Sequence, residues 1–206
     1  MLHEKVSLWI FASLSLTLFA LLTFSVRYGL TQHVDFSLLQ WLTSFKNDRL
    51  DDFFKSITWF GSLWILLPLT CLVIARLYYC KYNSLALFFG GAFLSTIAIS
   101  YLIKYILARE RPSSSNPFHE LPLDPSYPSA HTAQIVAFTL LLWFAMVIVS
   151  FQWKGVILVV WLILSCFVAL SRAYLQVHFP TDILGGTLLA FGLICTAYAI
   201  YKEGLA

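Results

Sequence analysis

The chain has 206 residues, of which 60% are hydrophobic, 17% aromatic and only 11% charged, with a formal net charge of +3 and a mean hydropathy of +0.81. Soluble domains carry about 25% charged residues, so a soluble globular fold is excluded and lipid must solvate most of the surface. The basic residues form no run that would bind nucleic acid, and a membrane surface is the expected partner.

A bilayer core of about 30 Å needs about 20 apolar helical residues. Six such runs occur in order, at Val6 to Val26, Ile57 to Tyr78, Leu85 to Leu107, Thr132 to Phe151, Gly155 to Leu170 and Ile183 to Tyr201. The first run is long, flanked by Glu4 and Lys5 and followed by no small-residue cleavage pattern, so an uncleaved span is expected. Without a repeat or a long linker, residues 1–206 are expected to form one domain. Its class is all-α, an integral membrane bundle of six transmembrane helices. Between the first two spans, Val34, Leu38, Trp41, Leu42 and Phe45 recur at helical spacing, with Asp35, Gln40 and Lys46 elsewhere around the helix. This predicts an amphipathic helix that either lies at the interface, with Trp41 at headgroup depth, or covers the end of the bundle. Cys71, Cys80, Cys166 and Cys195 sit in apolar stretches without metal-ligand spacing and are expected to serve packing.

Polar residues gather from Lys104 to His131 and from Ser171 to Asp182. Two intervening spans return the chain to the same side, so both clusters can form one site. Lys104 lies about one turn inside its span, where a lone charge is expensive unless it snorkels or finds a partner. Pro128-Ser129 before an apolar run predicts a helix start capped by Ser129, with the amides of Ala130, His131 and Thr132 free to attract an anion. Pro180 suits the first turn of the last span, which puts His178 just outside the helix and Asp182 inside its first turn. The carboxylate can then reach back to the imidazole, fixing its tautomer and favouring the imidazolium, unless Asp182 merely caps the helix.

Together, Lys104-x6-Arg111-Pro112, Pro128-Ser129-Ala130-His131 and Ser171-Arg172-x5-His178-x3-Asp182 resemble the three-part signature of the type-2 phosphatidic acid phosphatase superfamily. That superfamily includes lipid phosphate phosphatases, bacterial phosphatidylglycerophosphate and undecaprenyl-pyrophosphate phosphatases, and vanadium haloperoxidases. One position departs from the pattern: Ala130 stands where the family usually has Gly, adding a methyl where backbone approaches phosphate. The resemblance implies that His178, oriented by Asp182, attacks phosphorus to form a phosphohistidine. It also implies that His131 protonates the leaving oxygen and later activates water. Lys104, Arg111, Ser129 and Arg172, with Ala130 and Ser171, would bind phosphate, the arginines holding two oxygens at once. With this many cations no metal and no cofactor is required, and no obligate protein partner is implied.

The expected substrate is a lipid phosphate or pyrophosphate: undecaprenyl pyrophosphate, phosphatidylglycerophosphate or phosphatidic acid. Two alternatives stay open, a lipid phosphotransferase using the same intermediate and a transporter or flippase that binds an anionic headgroup without chemistry. His3, His33, His119 and Arg109 match no motif position, and His119 is expected to be an ordinary loop residue. Basic residues do not decide orientation: once Lys104, Arg111 and Arg172 are set aside, the two sides balance. Similarity to bacterial members favours a bacterial inner membrane, cytoplasmic termini and an outward-facing site.

Overall fold

A computed structural model describes residues 2–112 and 123–204; His119 lies outside them. Helices follow one another as α1 (Leu2–Arg27), α2 (Gln32–Thr43), α3 (Asp48–Ile57), α4 (Leu63–Tyr79), α5 (Asn83–Leu107), α6 (Ala130–Ile148), α7 (Lys154–Tyr174) and α8 (Pro180–Gly204). Among the described residues, five stretches, Val6–Arg27, Asn83–Leu107, Ala130–Ile148, Lys154–Tyr174 and Pro180–Gly204, are each long and apolar enough to cross a bilayer, and α4 joins α3 as a broken sixth, bent by 41°. Side chains such as Ile10, Leu14, Leu21, Leu94, Leu102, Val159 and Ile163 are exposed along the spans. Such a belt is stable only against lipid tails.

The second span begins later than its hydropathy suggests. Ile57 ends α3, and Thr58–Gly61 form a short 3-10 turn before α4 starts at Leu63. The preceding segment is a helix in its own right, because Asn47 Oδ1 caps it by accepting from the Leu50 amide at 3.0 Å and Asp48 and Asp51 occupy its first turn. Phe54 packs on Tyr174 with ring centroids 4.4 Å apart, and the Tyr174 hydroxyl donates to Asp51 at 2.8 Å. These contacts pin α3 to the end of α7 and hold the 3-10 turn against the site.

The helix between spans one and two is present, with Val34, Leu38, Trp41 and Phe45 outward and Leu39 buried. Leu39 packs on Ala173 and Phe179, so the helix covers the bundle end, as one of the two alternatives expects. Asp35, expected on its polar side, is instead fully buried. The cysteine expectation holds for Cys195, which is buried; Cys71, Cys80 and Cys166 are exposed free thiols, of which Cys71 in α4 and Cys166 in α7 are apolar enough to face lipid, while Cys80, just past α4, accepts from Arg76.

In the bundle, α8 packs against α1, α5, α6 and α7. Phe89, Phe93 and Phe138 fill the core between α5 and α6. At Gly186 a Cβ would stand 2.5 Å from the Ser129 carbonyl oxygen; only glycine lets the start of α6 lie this close to α8. That approach brings the second and third motifs together.

Candidate active site

The ends of α5, α6, α7 and α8 meet at one end of the bundle, and their polar residues converge there. Pro180 starts α8, leaving His178 in the preceding turn and Asp182 in the first helical turn. Asp182 Oδ2 accepts from the Phe179 amide at 2.9 Å and lies 3.4 Å from His178 Nδ1. On the other edge of the ring, His178 Nε2 lies 3.2 Å from Arg111 Nη1. A guanidinium has only donors, so Nε2 must present its lone pair and the ring proton sits on Nδ1, facing Asp182. Burial, followed by the positive charges of Arg172, Arg111 and Lys104, pushes His178 well below the usual histidine range, against the smaller opposing pull of Asp124. The imidazole is therefore neutral near pH 7. The expected imidazolium is not formed, because the surrounding cations outweigh one carboxylate.

Lys104 is 1% exposed and is explained by a partner, not by snorkelling: its Nζ donates to Asp124 Oδ2 at 2.6 Å and to the Pro125 carbonyl at 2.8 Å. Arg111 meets the same acid, with Nη2 to Asp124 Oδ1 at 2.8 Å and Nε to the Asp124 carbonyl at 2.9 Å. Its Nη1 also donates to the Val177 carbonyl at 2.6 Å. The fork is thus largely engaged by protein groups, and a two-oxygen grip on phosphate requires Asp124 to yield. Burial raises the Asp124 carboxyl, but the hydrogen bond and charge of Lys104, with those of Arg111, outweigh it and hold it below its ordinary value.

Ser129 stands at the start of α6, but its side chain makes no capping bond. Its hydroxyl accepts from Thr132 Oγ1 at 3.0 Å, and its amide donates to the Asp182 carbonyl at 2.9 Å. Ala130 is buried beside it. Ser171 is also buried, and its hydroxyl donates to the Val168 carbonyl at 2.6 Å, so its proton is spent on its own helix. Arg172 donates from Nη1 to Thr58 Oγ1 at 2.7 Å, while its buried Nε has no partner among the described residues.

His131, Arg172, Gln134, Tyr101 and Thr58 line a cavity of about 630 Å³ that is rimmed by Trp59 and Trp64. Arg172 Nε and Gln134 Oε1, both without a partner among the described residues, leave a donor and an acceptor for a polar headgroup. Among the described residues, no three His, Cys, Asp or Glu side chains are grouped to hold a metal ion.

Thr58, Asp124, Arg109 and Asp35, all outside the motifs, hold the motif side chains in this region. Thr58 holds Arg172, and Asp124 joins Lys104 to Arg111. Arg109 donates from Nη1 to Asp182 Oδ1 at 2.5 Å and from Nη2 to Asp35 Oδ2 at 2.7 Å. Intramembrane and juxtamembrane charges need partners, a signal that can single out Arg109, Asp124 and Asp35 without saying which of them pair.

A family model described as PAP2 superfamily matches residues 85–205. A curated relative, phosphatidylglycerophosphatase B of Bacillus subtilis, is 25% identical over 94% of this chain and 94% of its own length. An undecaprenyl-diphosphatase of Sulfolobus acidocaldarius is 28% identical over 70% of this chain and 68% of its own length. The fold also matches the crystal structure of a transmembrane PAP2-type phosphatidylglycerolphosphate phosphatase from Bacillus subtilis, with a TM-score of 0.81, 24% identity, and coverage of 98% of this chain and 97% of that one.

Proposed function

The chain belongs to the PAP2 superfamily, and from that premise we propose that it is a single-domain, integral-membrane lipid phosphatase working through a phosphohistidine. Its substrate is a lipid phosphomonoester or pyrophosphate of the phosphatidylglycerophosphate, undecaprenyl pyrophosphate or phosphatidic acid class. The observation that carries this reading is the pair of contacts on His178: Nδ1 against Asp182 at 3.4 Å and Nε2 against Arg111 at 3.2 Å. A neutral ring with its lone pair turned into a cluster of cations is a nucleophile aimed at an anion.

In the first step, Arg111 Nη1 turns from Nε2 to a phosphate oxygen, the freed Nε2 lone pair attacks phosphorus, and the bond from phosphorus to the leaving oxygen breaks as His131 gives that oxygen a proton. In the second, His131 takes a proton from water, the water oxygen bonds to phosphorus, and the nitrogen–phosphorus bond breaks to release phosphate. Lys104, Arg111 and Arg172, with Ser129, Ala130 and Ser171 around them, surround the phosphoryl group; Ser171 acts through position, since its proton is spent on the Val168 carbonyl, while the Ser129 hydroxyl only accepts from Thr132 and keeps its proton to donate to a phosphate oxygen. The substrate phosphate takes the place of the Asp124 carboxylate on Lys104 and Arg111. Charge stabilisation of this kind carries most of the burden of phosphoryl transfer, without need of a metal. The cavity beside His131 receives the leaving group, with lipid tails leaving past Trp59 and Trp64.

An even number of spans puts both chain ends on the side opposite the site. Similarity to bacterial relatives supports cytoplasmic termini and an outward-facing site in the inner membrane. Phosphate release by purified protein from a panel of lipid phosphates and pyrophosphates tests this reading. Release from at least one supports it; binding without release would favour a transporter, and transfer to a second lipid a phosphotransferase.

A further inference from the structure

Arg109 lies outside the three motifs, yet the partners of its guanidinium among the described residues lead towards the proposed nucleophile or towards α2. Besides Asp182 and Asp35, it donates to Thr181 Oγ1 at 2.8 Å, and its guanidinium lies over the Phe179 ring at 4.2 Å. Asp35 is fully buried and accepts from the Thr181 amide at 3.0 Å, the Thr181 hydroxyl at 2.7 Å and Thr31 Oγ1 at 3.1 Å. Two buried carboxylates thus share one guanidinium. Such an arrangement is costly to desolvate and gives little net stability over apolar packing, so stability alone is a poor reason for it.

The geometry of Asp182 supplies another. Its Oδ2 faces the Phe179 amide and His178 Nδ1, while its Oδ1 faces Arg109. Its charge is therefore matched by a full positive charge at 2.5 Å, leaving the imidazole at 3.4 Å as a hydrogen-bond donor and not as a counter-ion. We propose that Arg109 is a positioning residue for the nucleophile: it fixes and neutralises Asp182, and Asp35 of α2 holds it there. The helix at the bundle end then becomes a support of the catalytic apparatus, linked in the order Asp35, Arg109, Asp182, His178. The inference rests on the reading of His178 as nucleophile.

A pH profile separates this role from a merely structural one. His178 is influenced by Lys104 of α5, Arg111 and Asp124 of the following segment, His131 of α6, Arg172 of α7 and Asp182 of α8. Removing Arg109 leaves Asp182 and His178 as a coupled pair with less positive charge around it, so the pair takes up a proton at higher pH. On His178 that proton consumes the lone pair; on Asp182 it weakens the acceptor that orients the ring. Either way the acid limb of the rate profile moves upward.

The test measures kcat, KM and the pH dependence of kcat/KM for the full-length protein with a lipid phosphate substrate, in wild type, R109Q, R109K, D35N and H178A. Misplacement of a reacting group costs up to about 100-fold, so R109Q should lose about 10- to 100-fold in kcat with KM little changed, and its acid limb should rise. R109K should recover part of the loss, and D35N, which loosens Arg109 but removes a negative charge, should lose less in kcat than R109Q and move the limb slightly downward. A folded R109Q with an unmoved limb and near-normal kcat overturns the proposal; if R109Q does not fold, unmoved limbs in both R109K and D35N do so. An active H178A would instead overturn the nucleophile reading, whereas an inactive H178A with unmoved limbs removes only the role of Arg109.

Discussion

The Ser129 amide donates to the main-chain carbonyl of Asp182 at 2.9 Å, so the second and third motifs are joined through backbone and not through the side chains proposed to do the chemistry. Ser129 and Asp182 are both buried, and the absent Cβ of Gly186 lets the start of α6 touch α8. A side-chain replacement at His178 therefore spares this backbone link, whereas one at Asp182 also takes an acceptor from Arg109 and from the Phe179 amide.

His178→Ala should abolish turnover in a protein that remains folded, since no other imidazole among the described residues meets Asp182. Asp182→Asn should lose less, because it keeps a polar neighbour for Nδ1 while losing the charge. Purified variants assayed for phosphate release, with folding checked by circular dichroism, decide this. Near-normal release by folded His178→Ala would contradict the mechanism.

The pH dependence follows from the electrostatics around His178. Burial and three nearby cations lower its affinity for protons, so the neutral, nucleophilic form persists below the pH at which a free histidine, titrating near about 6.5, would be protonated. The acid limb of kcat/KM should lie below that value. Because His131 must be acidic in one step and basic in the next, the rate should also fall on the alkaline side. An acid limb at or above the ordinary histidine value, or a flat profile, would count against these roles.

Asp124 competes with phosphate for Lys104 and Arg111. Asp124→Asn removes one negative charge from that competition and should tighten inhibition by vanadate, by about fivefold if the partly exposed ion pairs contribute about 1 kcal/mol. A titration of phosphate release against vanadate measures this. Weaker inhibition would mean that Asp124 organises the two cations for substrate instead of yielding to it.

If Lys104, Arg111 and Arg172 supply the charge that stabilises the transition state, activity should be full in excess chelator, and loss of one cation should cost about 100- to 1000-fold. Phosphate release assayed with chelator and then with added magnesium checks the first half; Arg172→Met checks the second. Activity lost to chelator and restored only by magnesium would contradict the cationic account.

Much of this is legible in the sequence because membrane spans and helix punctuation are local signals. Apolar runs locate α1 and α5 to α8 within a few residues, and Pro180 marks the start of α8, which places His178 and Asp182. Hydropathy alone extends span two back to Ile57 and passes over α3, although Asn47 with Asp48 and Asp51 is a recognisable capping pattern. The fifth apolar run closes at Leu170, whereas α7 continues to Tyr174. The added turn carries Ser171 and Arg172, a polar end that hydropathy cannot count as span and that Thr58 satisfies at Arg172. The partners of the charges are not legible. Arg109 meets Asp35 across 74 positions and Arg172 meets Thr58 across 114, pairings that exist only once the bundle has closed.

The most direct measurement is to quench the reaction with a lipid pyrophosphate labelled at its terminal phosphorus in the His131→Ala protein, where the phosphate leaving group needs little acid assistance while hydrolysis of the intermediate is slowed, and to locate the label by mass spectrometry under alkaline conditions that preserve phosphohistidine. The expected result is phosphate on His178, absent from the His178→Ala, His131→Ala double variant. Turnover of substrate with no label on His178 at any time point, or label retained when His178 is replaced, would contradict the account.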